Sequence, residues 1–419
     1  MKKTFSIISL GCPRNLVDSE CIISEFKKKR YAYKEKIDNI DILIINTCAF
    51  IEDAKKESID TILKAIDAKE NDTIKRIIVT GCLSQRYKKE LQSEFKGVDE
   101  FRGVVDFKAT FKRDLTDSLT PSHSAYIKIS EGCRNRCSYC IIPYIKGPYR
   151  SRPMDSIVKE SEDLFKKGVR EIVLVGQDTS LYGVDLYKKK ILGVLLKKLD
   201  KISGENWVRV LYSHPANLDR SIIEIIRDSK NICRYIDLPI EHISDRILRQ
   251  MGRKTKKKDI ISLIGYIRSS VPDIALRTSI IVGFPGETER DFQELLSFIK
   301  AIKFERLGLF RYSREEGTPA AKFKNQLSEK EKDRRFNEAM SLQQAISSEI
   351  NENFKDKVLK VLIENREEDY YIARTQYDAP EVDGVVYVKG ENLRIGDFYN
   401  VRITDTYEYD LVGEYEPCK

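Results

Sequence analysis

The chain has 419 residues, with 74 Lys+Arg, 66 Asp+Glu, 3 His and 9 Cys, a formal net charge of +8. That length suits about two to four domains, and 41% hydrophobic with 33% charged residues is globular composition, which excludes a collagen-like or disordered chain. No apolar run approaches the ~20 residues of a membrane helix, and the start Met1-Lys2-Lys3-Thr4 lacks the pattern of a signal peptide; the cytoplasm is the expected compartment, where cysteines serve metal, catalysis or burial rather than disulfides.

Residues 1–115 alternate strand-like and helix-like segments. Strands are predicted over 5–10, 41–46 and 76–80, and helices over 17–29, 53–68 and 84–95. Strand, helix, strand repeated in this way implies a parallel α/β sheet with right-handed crossovers. Each strand runs directly into a cysteine, as Leu10-Gly11-Cys12, Asn46-Thr47-Cys48 and Thr80-Gly81-Cys82. In a parallel sheet those three cysteines gather at the carboxyl edge, where open α/β sheets bind ligands. Residues 114–124 are turn-rich and polar and read as a linker.

A second alternating region has strands predicted over 125–130, 171–176, 208–212, 234–238, 275–282 and 307–312, with helices between most of them. Six such units fit a (β/α) barrel or partial barrel, with its chemistry at the carboxyl face of the strands. A long helix over 329–353 closes the region. From residue 354 short β-branched and aromatic runs, at 358–363, 384–388 and 399–403, alternate with turn signals and predict a small all-β module. The division is therefore 1–115, 119–350 and 351–419.

Just after the first barrel strand lies Cys133-Arg134-Asn135-Arg136-Cys137-Ser138-Tyr139-Cys140. Structural zinc wants four protein ligands, usually in two separated pairs, and only three cysteines cluster here. A 4Fe–4S cluster normally takes four thiolates, so three leave one iron open. Arg134 and Arg136 either favour thiolate ligation or simply face solvent. Cys21 reads as core, Cys233 and Cys418 have no partners at useful spacing, and His214 and His242 read as packing or pocket residues. A zinc-bearing, ribosome-binding scaffold is the alternative from another functional class.

The C-x3-C-x2-C spacing resembles the radical S-adenosylmethionine (radical SAM) superfamily. That resemblance implies that S-adenosylmethionine binds the open iron and is cleaved, on one-electron reduction by a low-potential donor, to a 5′-deoxyadenosyl radical. With Cys12, Cys48 and Cys82 as a second three-thiolate set, the whole chain resembles the methylthiotransferases: an N-terminal cluster domain, a radical SAM partial barrel and a C-terminal TRAM barrel. The family implies two 4Fe–4S clusters, one on Cys12, Cys48 and Cys82, the other on Cys133, Cys137 and Cys140, and no catalytic residues beyond these ligands. Gln177 and Asp178 end one barrel strand, and Gly283 lies in Ile281-Val282-Gly283-Phe284-Pro285-Gly286-Glu287-Thr288; both places are expected to reach S-adenosylmethionine. Glu287-Thr288 also reads as a helix start.

Within that family, Gly11-Cys12-Pro13-Arg14-Asn15, Gly176-Gln177-Asp178-Thr179-Ser180 and Ala379-Pro380-Glu381-Val382-Asp383-Gly384 resemble the branch that modifies the β-carbon of an aspartate in small-subunit ribosomal protein twelve, expected within the 30S subunit. One position departs: Glu241 in Pro239-Ile240-Glu241-His242 stands where this branch usually has Gln, and it remains a candidate for cofactor binding. Charge points the same way. Residues 350–419 hold 16 Asp+Glu against 9 Lys+Arg, a net of −7, leaving +15 on the rest. An RNA-binding module should be basic, so this one disfavours tRNA, whose adenosines are the alternative substrate for the same chemistry, and suits a basic protein.

Overall fold

The structure, a computed structural model, describes residues 2–114 and 118–417. The first part is a five-stranded sheet in the order Ala32–Tyr33, Thr4–Ser9, Ile40–Thr47, Ile74–Gly81, Glu100–Phe101. Every pair in it is parallel. Helices Pro13–Lys28 and Glu52–Glu70 make the crossovers. The central strand is buried almost throughout, as a continuous apolar run in a covered parallel sheet must be. Register places Ser9 opposite Asn46 and Asn46 opposite Thr80, so three strands finish on one rung.

Two expectations need correction here. The single helix predicted over 84–95 is two, Cys82–Arg86 and Lys88–Glu94, broken at Tyr87, whose φ of −127° is not helical. The stretch read as a linker is partly tied down: Ser118 Oγ and the Leu119 amide both donate to Glu20 Oε1, at 2.9 and 3.1 Å. Residues 115–117 and Cys418 lie outside the described residues.

Gly81 turns the third long strand into Cys82 at φ +94°, and a Cβ there would stand 2.4 Å from Asn46 Oδ1 and 2.5 Å from the Thr47 carbonyl oxygen. Glycine alone fits both the angle and the crowding. Gly81→Ala is expected to cost at least about 1–3 kcal/mol from backbone strain alone, read as a lower denaturation midpoint.

The second part is an open parallel barrel. Ser124–Lys128, Glu171–Val175 and Trp207–Val210 form one three-stranded sheet, and Tyr235–Asp237, Ala275–Val282 and Arg306–Arg311 a second. A parallel bridge from Val208 to Ile232 joins them, so all six strands follow chain order. The surrounding helices share one large apolar core with the strands, and the long helix Glu329–Glu352 adds Ala339 and Ile346 to it. Among the described residues no helix is long and apolar enough to cross a membrane.

The third part is a closed barrel in the order Val358–Glu367, Tyr370–Thr375, Val386–Lys389, Leu411–Tyr415, Phe398–Thr406, with its own apolar core. It plugs the amino end of the open barrel. Arg374 pairs with Glu171, which also accepts from Arg209 Nε at 2.7 Å. Asp378 accepts from Arg306 Nε at 2.8 Å, and Asp383 from the Tyr235 hydroxyl at 2.7 Å. Phe398 packs on Trp207 with ring centroids 4.8 Å apart. The segment Ala379 to Gly384, singled out in the sequence, thus supplies part of this plug. Glu171 is fully buried, so Glu171→Ala leaves the buried Arg209 guanidinium without its carboxylate, while Arg374 keeps Glu364 at 2.6 Å; the change is expected to cost about 3–5 kcal/mol, measured by chemical denaturation.

Candidate metal and cofactor centres

The shared rung at Ser9, Asn46 and Thr80 delivers Cys12, Cys48 and Cys82 to the same sheet edge. Asn15 holds the edge together: its Nδ2 donates to the Leu10 and Thr47 carbonyls, both at 3.0 Å, and its Oδ1 accepts from Cys82 Sγ at 3.7 Å. Gly11 lies at φ +86°, and a Cβ on it would meet Cys48 Cβ and Sγ at 2.7 Å. The cradle around Cys48 therefore exists only with glycine. Cys12 is half-buried, while Cys48 and Cys82 are buried. Burial pushes the Cys82 thiol up to about 12 and raises Cys48 as well. Burial also opposes ionisation of Cys12, but the Arg14 guanidinium together with the Asn15 amide and Lys146 holds this thiol below its usual value.

The second set sits in the loop after Ser130–Glu131. The loop is pinned by its backbone: the Cys133 amide donates to the Gly147 carbonyl at 3.3 Å, Ser138 N to Met251 O at 2.9 Å, and Ala320 N to Ser138 O at 2.8 Å. Gly252, at φ +74°, lets the Arg136 carbonyl approach where a Cβ would stand 2.8 Å away. Cys133, Cys137 and Cys140 are all half-buried. Burial raises Cys133 to about 11 and Cys140 further. Arg134 and Arg136 are exposed. The buried cation at this loop is Arg253, which interacts with Tyr139, Cys137 and Glu241 and donates to the Pro239 carbonyl.

Asp178 joins this loop to the barrel strands. It is 1% exposed, and its Oδ2 accepts from Asn135 Nδ2 and Asn217 Nδ2, each at 2.8 Å, while Oδ1 accepts from Ser180 Oγ at 2.5 Å. Its oxygens are occupied by the protein, which suits holding the cysteine loop. Gln177 is different: Nε2 donates to Glu131 Oε1 at 2.5 Å, and Oε1 is buried with no protein partner. Glu241 has φ +69° and a backbone bridge to the strand Ala275–Val282, its amide donating to Ser279 O at 2.8 Å. Burial raises its carboxyl, against Arg253 and Tyr139.

Gly283 packs against the long helix Glu329–Glu352. At φ +73° it accepts the Lys332 side chain of the long helix, with Cγ 2.5 Å from where a Cβ would be. Thr288 caps the helix Glu289–Ile302 by a reciprocal capping box with Asp291, which is the helix start read from the sequence. His214 and His242 are buried; each Nδ1 accepts a nearby backbone amide, from Ala216 at 3.1 Å and Ser244 at 3.0 Å. Cys21 and Cys233 are buried among apolar neighbours.

The two sets are bridged by buried charge. Asp18, on the first helix, pairs with Lys128 and, at 3.0 Å, with Lys146. Lys128 Nζ is 2.7 Å from Glu131, which holds Gln177. Burial works against Glu131 ionising, but Lys128 and Lys146 hold its carboxyl down to about 2. Arg14 stands inside a motif the sequence displays and Arg253 outside all of them, and nothing in their spacing tells which cation turns inward.

Among the described residues no three His, Cys, Asp or Glu side chains are arranged to hold one metal ion. A cubane cluster takes each thiolate on a different iron, and each set here supplies three thiols on a fixed frame. The donor chemistry, the glycine cradles and the orphaned Gln177 oxygen fit such clusters and a polar cofactor beside one of them.

Three family models match the chain: Uncharacterized protein family UPF0004 over residues 4–103, Radical SAM superfamily over 127–299 and TRAM domain over 357–415. Proteins named ribosomal protein uS12 methylthiotransferase RimO match along nearly their whole length. That of Clostridioides difficile is 46% identical over 97% of both chains, and that of Geotalea uraniireducens 42% identical over 100% of this chain and 99% of its own. Among solved structures, the radical S-adenosylmethionine methyltransferase TsrM of Kitasatospora setae has a TM-score of 0.53 at 13% identity, covering 83% of this chain and 89% of that one. It shares the fold. Fold and site together define a radical SAM enzyme with a terminal TRAM barrel. Within that class, the chain belongs to the ribosomal protein uS12 methylthiotransferase RimO family.

Proposed function

We propose that this chain is a cytoplasmic methylthiotransferase that adds a methylthio group to the β-carbon of an aspartate in ribosomal protein uS12, within the 30S subunit, using a low-potential electron donor. In this reading, residues 1–115, 119–350 and 351–419 form the three units. Cys12, Cys48 and Cys82 hold one 4Fe–4S cluster; Cys133, Cys137 and Cys140 hold the other, with S-adenosylmethionine at its open iron. Bound there, the cofactor supplies radical chemistry able to activate an aliphatic C–H bond, which no side-chain base can deprotonate.

The chain's own residues bind and orient. Asp178 fixes the cysteine loop through Asn135. Gln177 offers its free carbonyl oxygen to the cofactor. Glu241 and Gly283 complete the proposed pocket as part of its wall, Gly283 by admitting Lys332 behind it. The observation that carries the reading is the presence of two separate three-cysteine sets, each at the carboxyl end of a parallel sheet, with Arg14 tying Cys12 of the first to the Gly176 carbonyl at the end of a barrel strand. The net of −7 on residues 350–419 supports a basic protein partner over RNA.

In a bacterial strain stripped of its own uS12-modifying enzyme, expression of this chain is expected to add a methylthio mass to uS12. Unmodified uS12 beside abundant, cluster-loaded enzyme would refute the substrate assignment.

A further inference from the structure

Arg14 joins the N-terminal unit to two neighbouring strand ends of the open barrel. Its Nε donates to Cys12 Sγ at 3.5 Å, its Nη1 donates to the Gly176 carbonyl at 3.1 Å, and its guanidinium carbon lies 4.7 Å from the Tyr212 ring centroid. Gly176 closes the strand that leads into Gln177 and Asp178. Tyr212 lies just beyond the next strand, at φ +63°, and both ends of its backbone are held. Its amide donates to Asp237 Oδ2 at 2.8 Å, and its carbonyl accepts from the Thr179 amide at 3.0 Å. The ring is therefore a fixed platform. Asp237 in turn pairs with Arg277 at 3.1 Å, and Arg277 with Asp383 of the C-terminal plug at 3.4 Å.

We propose that Arg14 is a positioning residue that docks the Cys12 centre on the mouth of the barrel and raises the reduction potential of the cluster held there. The inference rests on the assignment of a cluster to Cys12, Cys48 and Cys82. Cluster potentials depend on net charge and on hydrogen bonds to sulfur. Reduction adds negative charge, and a fixed cation donating to one ligand sulfur stabilises that form. The docking half follows from the fork and the stack: one guanidinium plane reaches the sulfur, the carbonyl and the ring together. A lysine keeps the charge but not this fork.

The test uses the full-length chain. With Cys133, Cys137 and Cys140 replaced by Ala, only the N-terminal cluster remains, and its midpoint potential is followed by redox-titrated EPR. Arg14→Gln is expected to shift that potential negative, and Arg14→Lys to keep it near the parent value. With all cysteines restored, Arg14→Gln is expected to keep 5′-deoxyadenosine release while methylthio product falls about 10- to 100-fold. Arg14→Lys is expected to restore the potential without restoring transfer. An unchanged potential in Arg14→Gln overturns the electrostatic half. Full transfer by an iron-replete Arg14→Lys protein overturns the docking half, and this variant serves if Arg14→Gln folds poorly. The titration needs no substrate, so it is independent of the uS12 assignment; iron missing at this site in the parent would instead defeat the cluster assignment.

Discussion

Alanine at Cys12, Cys48 and Cys82 together is expected to drive methylthio transfer below detection while S-adenosylmethionine is still cleaved. The reason is architectural. These thiols stand on the N-terminal sheet, whereas the loop from Cys133 to Cys140 is pinned by Gly147, Met251 and Ala320, none of which belongs to that sheet. Removing three sulfurs therefore leaves the barrel centre's frame in place. Each substitution is expected to cost on the order of 1 kcal/mol of stability, too little to unfold a chain with so much buried core. Release of 5′-deoxyadenosine and the mass of uS12, measured on one sample, separate the two activities. Loss of both together would show that the N-terminal site supports the barrel rather than transfer.

The reciprocal change has the larger effect. Replacing Cys133, Cys137 and Cys140 by Ala is expected to reduce cleavage and transfer alike to background, because the cofactor loses its iron. Iron at the N-terminal site should persist, since Cys12, Cys48 and Cys82 and their Asn15 brace are untouched. Iron and sulfide analysis with an assay for 5′-deoxyadenosine checks this. Residual cleavage above background would contradict the ligand assignment.

The strand-to-cysteine pattern was readable because a parallel sheet turns three distant sequence positions into one edge. The spacing from Cys133 to Cys140 was readable because it is local. What the sequence hid was the direction of long side chains. Arg134 and Arg136 flank the cysteines of the loop but are exposed, while Arg253 reaches Cys137 from across the fold and Arg14, two residues from Cys12, turns back onto that sulfur. Gly283 carried a motif that pointed to the cofactor, yet its missing side chain makes room for Lys332. The strands Tyr370–Thr375 and Leu411–Tyr415 are not among the runs read from the sequence; they are defined by their pairing within the closed barrel. Tyr87 breaks a helix that periodicity alone would continue. The approaches of Arg253 to Cys137 and of Lys332 to Gly283 are tertiary contacts that no window of sequence contains.

The most direct test of the account incubates anaerobically reconstituted enzyme, S-adenosylmethionine and reductant with purified 30S subunits and, in parallel, with unmodified tRNA. Mass spectrometry then reads both. The account expects a methylthio mass gain on one aspartate of uS12 and none on tRNA. A gain on tRNA adenosine with none on uS12 would contradict it, and with it the reading of the acidic C-terminal barrel as a surface for a basic protein.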